Sequence, residues 1–236
     1  TGTFTSTSGS PIISDDFNKN NLNVGLWNIV DSLGDATVVM SGAGTGDAQL
    51  LFSVPSGLSH DAWTTDTSPR LLQPAEDTDF VIEAKFDSTM EFLYQDQGIR
   101  VEESSSHFLR FDFVSQNKTS VRIFAASLVS GSPSVKVDKV IAQSSPMYLR
   151  VERIGDNWIL SYSYDGSGWT EAVTFNHPMM VTAVGPYVGN AVSGGGSAPA
   201  HTAVIDYFFN GAAPIVPEDG DTIIDDTLPP LIQRIE

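Results

Sequence analysis

The segment HFLRFDF, residues 107 to 113, sets Arg110 and Asp112 into a run that otherwise alternates like a β-strand. Successive side chains of a strand point to opposite faces, so Leu109, Phe111 and Phe113 share one side and Phe108, Arg110 and Asp112 the other. The first side is core. The second is a solvent face with surface ion pairs, a buried ion pair, or the floor of a binding site. Two flanking segments repeat the arrangement. SVRIFAAS sets Arg122 and Phe124 opposite Val121, Ile123 and Ala125, and QGIRVEE sets Arg100 and Glu102 opposite Ile99 and Val101. If these strands are neighbours, Glu102, Arg110, Asp112 and Arg122 form an exposed patch of alternating sign. Carboxylates accept from vicinal sugar hydroxyls and guanidinium forks donate to them, so the chemistry on offer is glycan recognition.

A second constellation is SHDAW, residues 59 to 63, which follows the turn VPSG and so falls on a loop or short edge segment. Loops at the rim of a sandwich are where recognition groups concentrate. The indole of Trp63 can stack on a pyranose while Asp61 accepts from its hydroxyls; alternatively Trp63 is a core filler. Arg70 extends the same rim. His60 beside Asp61 suggests a hydrolase relay, but no Gly-x-Ser-x-Gly elbow accompanies it. The four histidines, His60, His107, His177 and His201, have no HExxH or His-x-His spacing, which argues against zinc. The acid run PEDGDTIIDD lacks the order of an EF-hand loop and reads as a solvated linker. NKT at Asn117 is a glycosylation sequon only in a host that uses one.

These groups need a rigid frame, and the sequence supplies one. Apolar residues recur with period 2 in about a dozen segments between TVVMSG and HTAVIDYFFN, separated by turns such as Gly155-Asp156-Asn157 and Asp165-Gly166-Ser167-Gly168, with no long amphipathic helix. That pattern predicts an all-β fold of two packed antiparallel sheets. Leu109, Phe111, Phe113, Ile123, Leu149, Val151, Leu160 and Tyr162 are its expected interior. With 236 residues, 41% of them apolar and none of them Cys, the chain must be stabilised by packing, helped at most by a hard cation. Its formal charge of −17, from 29 acids against 12 bases, argues against nucleic acid or an anionic membrane as partner. No apolar run approaches a membrane span and no signal-peptide pattern is present, so a secretion signal would lie outside these residues. Many Gly, Ser and Thr with few Lys resemble an exported bacterial protein, extracellular or at the cell surface.

ISDDFNKNNLNVGLW (13–27), the hairpin YLRVERIGDNWILSYSYDGSGW and the closing HTAVIDYFFN together resemble the concanavalin A-like lectin/glucanase superfamily, in particular the accessory modules of bacterial multidomain proteins. The resemblance covers roughly residues 13 to 211 and implies a jelly-roll sandwich whose concave sheet carries the ligand, with His60, Asp61, Trp63, Glu102, Arg110, Asp112, Arg122 and Phe124 as binding candidates. It also implies a structural calcium held by the closing-strand Asp206, with the opening acids Asp15 and Asp16 nearby if the two ends pair. The Glu-apolar-Asp-apolar-Glu strand of laminarinase-type glucanases is missing. Residues 1–12 read as a linker or the end of a preceding module. Residues 212–236 read as a Pro- and acid-rich linker whose last part resembles the start of a fibronectin type III-like module.

The leading expectation is therefore a carbohydrate-binding, lectin-like module that takes a polysaccharide or glycan. The alternatives are a structural or adhesive module that assembles with copies or neighbouring domains through its termini, and a glycan-degrading enzyme. For the last, Glu102 and Asp112 are the one carboxylate pair the outer face offers, and Arg110 between them would hold both ionised, which suits a general acid poorly.

Overall fold

A computed structural model describes residues 11–63, 65–192 and 196–220, with the backbone of one further short strand at 233–234. It is all β among the described residues. The seven-stranded sheet runs in the order β1 (Asn28–Val30), β4 (Arg70–Pro74), β13 (Ala183–Asn190), β6 (Gln95–Ser104), β7 (His107–Asn117), β8 (Ser120–Val129), β9 (Ser132–Ala142). The eight-stranded sheet runs β12 (Thr170–Asn176), β11 (Asn157–Ser163), β10 (Met147–Ile154), β5 (Phe80–Phe86), β14 (His201–Asn210), β3 (Gln49–Val54), β2 (Thr37–Ser41), β15 (Gln233–Arg234). All pairings are antiparallel, so the expected two-sheet sandwich is what the chain forms.

Burial follows the period-2 pattern on the inner faces. Leu109, Phe111 and Phe113 of β7 and Ile123 of β8 meet Leu149, Val151, Leu160 and Tyr162 of the opposite sheet in one apolar cluster, as the alternation predicts. Aromatic rings lock the sheets together, Phe86 edge-on to Phe113 at 6.3 Å and Phe111 against Trp158 at 6.1 Å. β1 and β4 have no counterpart in the sequence pattern. β1 has three residues, and β4 opens on a charge and ends in Pro, which hides its alternation.

The chain ends close the frame. Asp15 and Phe208 exchange backbone hydrogen bonds of 2.9 Å, and the Gln73 amide bonds both N–H and carbonyl of Ile13. Of the segments read as linkers, residues 1–10 lie outside the described residues, as does 221–236 apart from the β15 backbone. The described parts pack on the sandwich: Ile12 is in the core, and Asp219 Oδ2 accepts from Ala48 N at 2.8 Å.

Phe111 has no exposed surface and packs against two rings of the opposite sheet, Trp158 and Phe175. Phe111→Ala should therefore cost about 3–5 kcal/mol of stability in a chemical denaturation experiment.

Candidate functional site

On the outer face of the seven-stranded sheet, register fixes which side chains meet. One row reads Tyr187, Gly98, Asp112, Phe124 across β13, β6, β7 and β8. The next row places Arg100 directly opposite Arg110. Gly98 is the gap in the first row. A Cβ there would lie 2.5 Å from Asp112 Cβ and 2.2 Å from the Phe111 carbonyl oxygen. Across that gap the Tyr187 hydroxyl donates to Asp112 Oδ2.

Each arginine has its own counter-charges. Arg100 makes a bidentate fork to Asp66, at 2.8 and 2.6 Å, and its Nε lies 2.7 Å from Glu102 Oε1. Arg70 Nε lies 2.7 Å from the same oxygen, which closes a cage of two guanidinium groups and two carboxylates. Arg110 donates from Nε to Asp112 Oδ2 at 2.6 Å, from Nη2 to Asp96 Oδ2 at 2.8 Å and from Nη1 to the Ala62 carbonyl at 3.2 Å.

Residues 55–69, between β3 and β4, cover these groups. The stretch is pinned by His60, whose backbone pairs with Asn190 and whose ring meets Asn190 Oδ1 at 3.0 Å and Asp35 Oδ1 at 2.7 Å. Beneath it, Ala62, Phe108, Phe124, Ala126, Leu128 and Tyr187 form a second small apolar cluster. The expectation of a wet, outward patch is thereby corrected. Arg110 is 3% exposed and Asp112 is fully buried, because a non-periodic loop roofs the strand face that alternation alone leaves open. Glu102 belongs to the Arg70–Arg100 cage and not to a shared patch with Arg110. His60 is a buried anchor of the loop with both ring nitrogens occupied, so no hydrolase relay forms.

What remains open is a cleft of about 460 Å³ at the edge of this roof. Trp63 and Phe124 stand 5.9 Å apart at 58°, joined by Tyr94, and the polar lining is Asp61, Asp96, Arg110 and Arg122. Five of the sequence candidates, Asp61, Trp63, Arg110, Arg122 and Phe124, thus come together. Arg122 is partly exposed and held by Gln116 at 2.7 Å and Asp138 at 3.1 Å. Asp96 and Tyr94 were not legible as candidates. Asp96 shares the outward face of Gly98 and Arg100, one alternation before the recognised part of β6, and Tyr94 sits at its start with a positive φ of 65°.

A larger recess of about 590 Å³ lies over the other sheet. Its guanidinium groups are already committed, Arg150 to Glu83 and Arg153 to Asp77, and Phe80 is its one aromatic lining. The cleft at Trp63 has the better chemistry for a ligand.

The cleft is not charge-balanced by ions alone. One guanidinium faces two buried carboxylates, Asp96 and Asp112, with Asp61 3.9 Å from it. Burial first, then Asp112 and Asp61, outweigh Arg110 and raise Asp96 to about 8. Asp61 is also raised, by burial against the pull of Arg110. Asp96 Oδ1, like Asp112 Oδ1, is buried without a hydrogen-bond partner, and it rests where a Cβ on Gly189 would be 2.0 Å away.

Asp206 lies far from the cleft, at the bulge of β14 between Ile205 and Tyr207. Lys85 Nζ is 2.6 Å from its Oδ2, and carboxylate oxygens of Asp47, Asp87 and Asp206 lie within 4.8 Å of one another. Glu218 Oε1 and Asp219 Oδ1 are buried nearby without a hydrogen-bond partner. This all-oxygen set, with two unsatisfied acceptors, fits a hard cation. It gathers Asp206 of β14, Asp87 just after β5, Asp47 of the 42–48 turn, and Glu218 and Asp219 of the 212–220 segment. Asp15 is not part of it, since its carboxylate accepts from Trp27 Nε1 and Phe17 N.

No family model and no curated protein sequence matches the chain. Its fold is shared with solved structures. A functionally unknown protein from Saccharomyces cerevisiae aligns over 79% of this chain and 97% of its own, with TM-score 0.59 and 14% identity. Xylan β-1,4-xylosidase from Bacillus halodurans aligns with TM-score 0.62 and 13% identity over 85% of this chain but 39% of its own. The GlcNAcα1-4Gal-releasing endo-β-galactosidase of Clostridium perfringens gives TM-score 0.56 and 11% identity over 89% and 64%. The chain thus spans about two fifths of the xylosidase. These likenesses establish the class of fold, a β-sandwich domain that occurs within glycoside hydrolases.

The raised Asp96 carries a sign for stability. Its folded value of about 8 stands above the ordinary 3.8, so the folded state keeps a proton that the unfolded chain loses. The stabilisation is complete below about pH 4 and is lost as pH rises through about 8. Asp96→Asn keeps a neutral acceptor for Arg110, and its urea midpoint should fall less than the parent's between pH 5 and 9.

Proposed function

We propose that the chain is a carbohydrate-binding module of concanavalin A-like type that holds a glycan in the cleft beside Trp63, as part of a secreted or surface multidomain protein. The observation that carries this reading is the pairing of an aromatic wall, Trp63, Tyr94 and Phe124, with rim groups Asp61 and Arg122 that are partly exposed. A pyranose offers an apolar C–H face to the rings and hydroxyls to the carboxylate and guanidinium. The sandwich is shared with proteins named for acting on xylan and galactosides, and the Gly-, Ser- and Thr-rich composition suits export.

An enzymatic reading has one feature in its favour, a carboxyl raised to about 8 beside a second raised carboxyl. Against it, Asp96 is 4% exposed and its remaining oxygen is buried, out of reach of a glycosidic oxygen. Binding is the better use of this geometry. Sugars compete with water for every hydrogen bond, so affinity rests on stacking and is weak.

Retention on a panel of immobilised polysaccharides, with reducing ends assayed in parallel, tests both readings. The parent should be retained without releasing reducing ends, and Trp63→Ala, a half-buried rim residue, should abolish retention while keeping the fold. Release of reducing ends by the parent would favour the enzyme, and failure to bind any glycan would remove the proposal.

The proposal includes a structural calcium held by Asp206, Asp87 and Asp47, with Glu218 and Asp219 completing the oxygen set. Burial first, and then Asp206 and Asp219, raise Glu218 to about 8, and cation binding would replace that proton. Calcium should raise the melting temperature relative to chelator through its preference for the folded state. Asp206→Asn should remove the difference, and equal melting of the parent in calcium and chelator would discard the site.

A further inference from the structure

His107 and His177 are 70 residues apart in sequence, and the fold brings their Nε2 atoms to 3.0 Å. His107 opens β7 of the seven-stranded sheet, and His177 follows β12 at the edge of the eight-stranded sheet, where the chain begins its crossing to β13. The rings are perpendicular, with centroids 5.2 Å apart. Two ring nitrogens at this distance cannot both carry protons, so at least one lone pair points into the gap.

Both residues are held in place from behind. His107 Nδ1 is 3.1 Å from Glu103 Oε2, which also accepts from Met180 N at 3.0 Å. That is the carboxylate–imidazole arrangement that fixes the tautomer and aims Nε2 at a metal. His177 donates its N–H to the Asp156 carbonyl at 2.8 Å, and its own carbonyl accepts from Trp158 Nε1 at 2.9 Å. Both rings are partly exposed. Burial first, then His107 and Lys136, disfavour a positive charge on His177 and hold it below the ordinary imidazole value, against the opposing pull of Glu103 and Asp156.

We propose that His107 and His177 form a site for a borderline divalent transition-metal ion such as Zn²⁺, which would pin the sheet-to-sheet crossing to the start of β7. The pair is a direct hydrogen bond at 3.0 Å, and two imidazole nitrogens on a tetrahedral ion at about 2.0–2.1 Å stand roughly 3.3 Å apart, so an ion would displace the shared proton and open the pair by a few tenths of an ångström. Water completes the coordination, since among the described residues the carboxylate nearest the pair, Glu103, engages the far nitrogen of His107. The chemistry differs from that of the Asp206 cluster. Imidazole selects zinc, nickel or copper, whereas the carboxylates select calcium.

The test uses the full chain, stripped of metal and titrated calorimetrically with ZnCl₂ in the presence of excess calcium. One zinc site is expected, retained in Asp206→Asn and weakened by roughly tenfold or more in His107→Ala, in His177→Ala and, through the lost carboxylate, in Glu103→Gln. Imidazole ¹⁵N spectra of the parent should show zinc shifting Nε2 of His107 and His177 while leaving the buried rings of His60 and His201 unmoved. No zinc-dependent heat in the parent, unshifted His107 and His177 signals, or undiminished binding by the double alanine variant would each overturn the site.

Discussion

Two guanidinium groups directly across from one another on adjacent strands are the constraint around which the outer face of the seven-stranded sheet is organised. Arg100 and Arg110 occupy opposed positions of β6 and β7, where like charges destabilise a sheet. Burial beneath the 55–69 loop makes the conflict worse unless each group has its own acids. Asp66 and Glu102 serve the first arginine, Asp96 and Asp112 the second. Removing one partner of such a buried pair typically costs about 3–5 kcal/mol, because the other charge is left without compensation. The loop cannot lift away cheaply either, since it contributes Asp66 to Arg100 and the Ala62 carbonyl to Arg110.

The same arrangement decides what a ligand can meet. Each nitrogen of Arg110 makes a bond within the protein and the residue is 3% exposed, so this guanidinium forms the back wall of the cleft. Its flat faces abut apolar rings, Phe124 at 5.2 Å and Tyr187 at 5.6 Å, and hold Phe124 in position against Trp63. Recognition then falls to the rim. Arg110 acts as a positioning group for the aromatic wall, a role different from the direct contact that its residue type suggests.

How much of this was legible in the sequence depends on whether a contact is local. Period-2 alternation marks strands, and the inner residues Leu109, Phe111, Phe113 and Ile123 follow it because the opposite sheet always covers that side. The outer side of the same strands carries no such guarantee. Its cover is a stretch without periodicity, SGLSHDAW and the residues after it, whose docking depends on Asn190 at the far end of β13. Alternation could therefore set Arg110 and Asp112 on the outer face but could not say whether that face was wet. Trp63 and Asp61 were recognisable because a rim loop with an aromatic beside a carboxylate is itself a signal. Asp96 was not, since a lone acid before Gln97-Gly98 reads as a strand end. The His107–His177 contact, made across the two sheets, has no signature in spacing at all.

Charge counting separates the three acid-bearing clusters and orders what each requires. In the cage, Arg70 and Arg100 face Asp66 and Glu102, two charges against two, and the guanidinium groups hold Asp66 below its ordinary value despite burial. That cluster is balanced in charge, although Glu102 Oε1 and the Nε atoms facing it are too poorly aligned to form hydrogen bonds. Around Arg110, one cation faces two buried carboxylates, with Tyr187 donating to Asp112 across Gly98. Burial raises both Asp96 and Asp112, so it is proton uptake by this pair that offsets the excess. Around Lys85, one ammonium serves Asp206 and Asp87 with Asp47, Glu218 and Asp219 gathered beside them, and two of the oxygens have no partner. Protons alone can neutralise that excess, but at the cost of raising several carboxyl groups together, so the proposed calcium would find here, and not in the cleft, both the charge to offset and the oxygens to coordinate it.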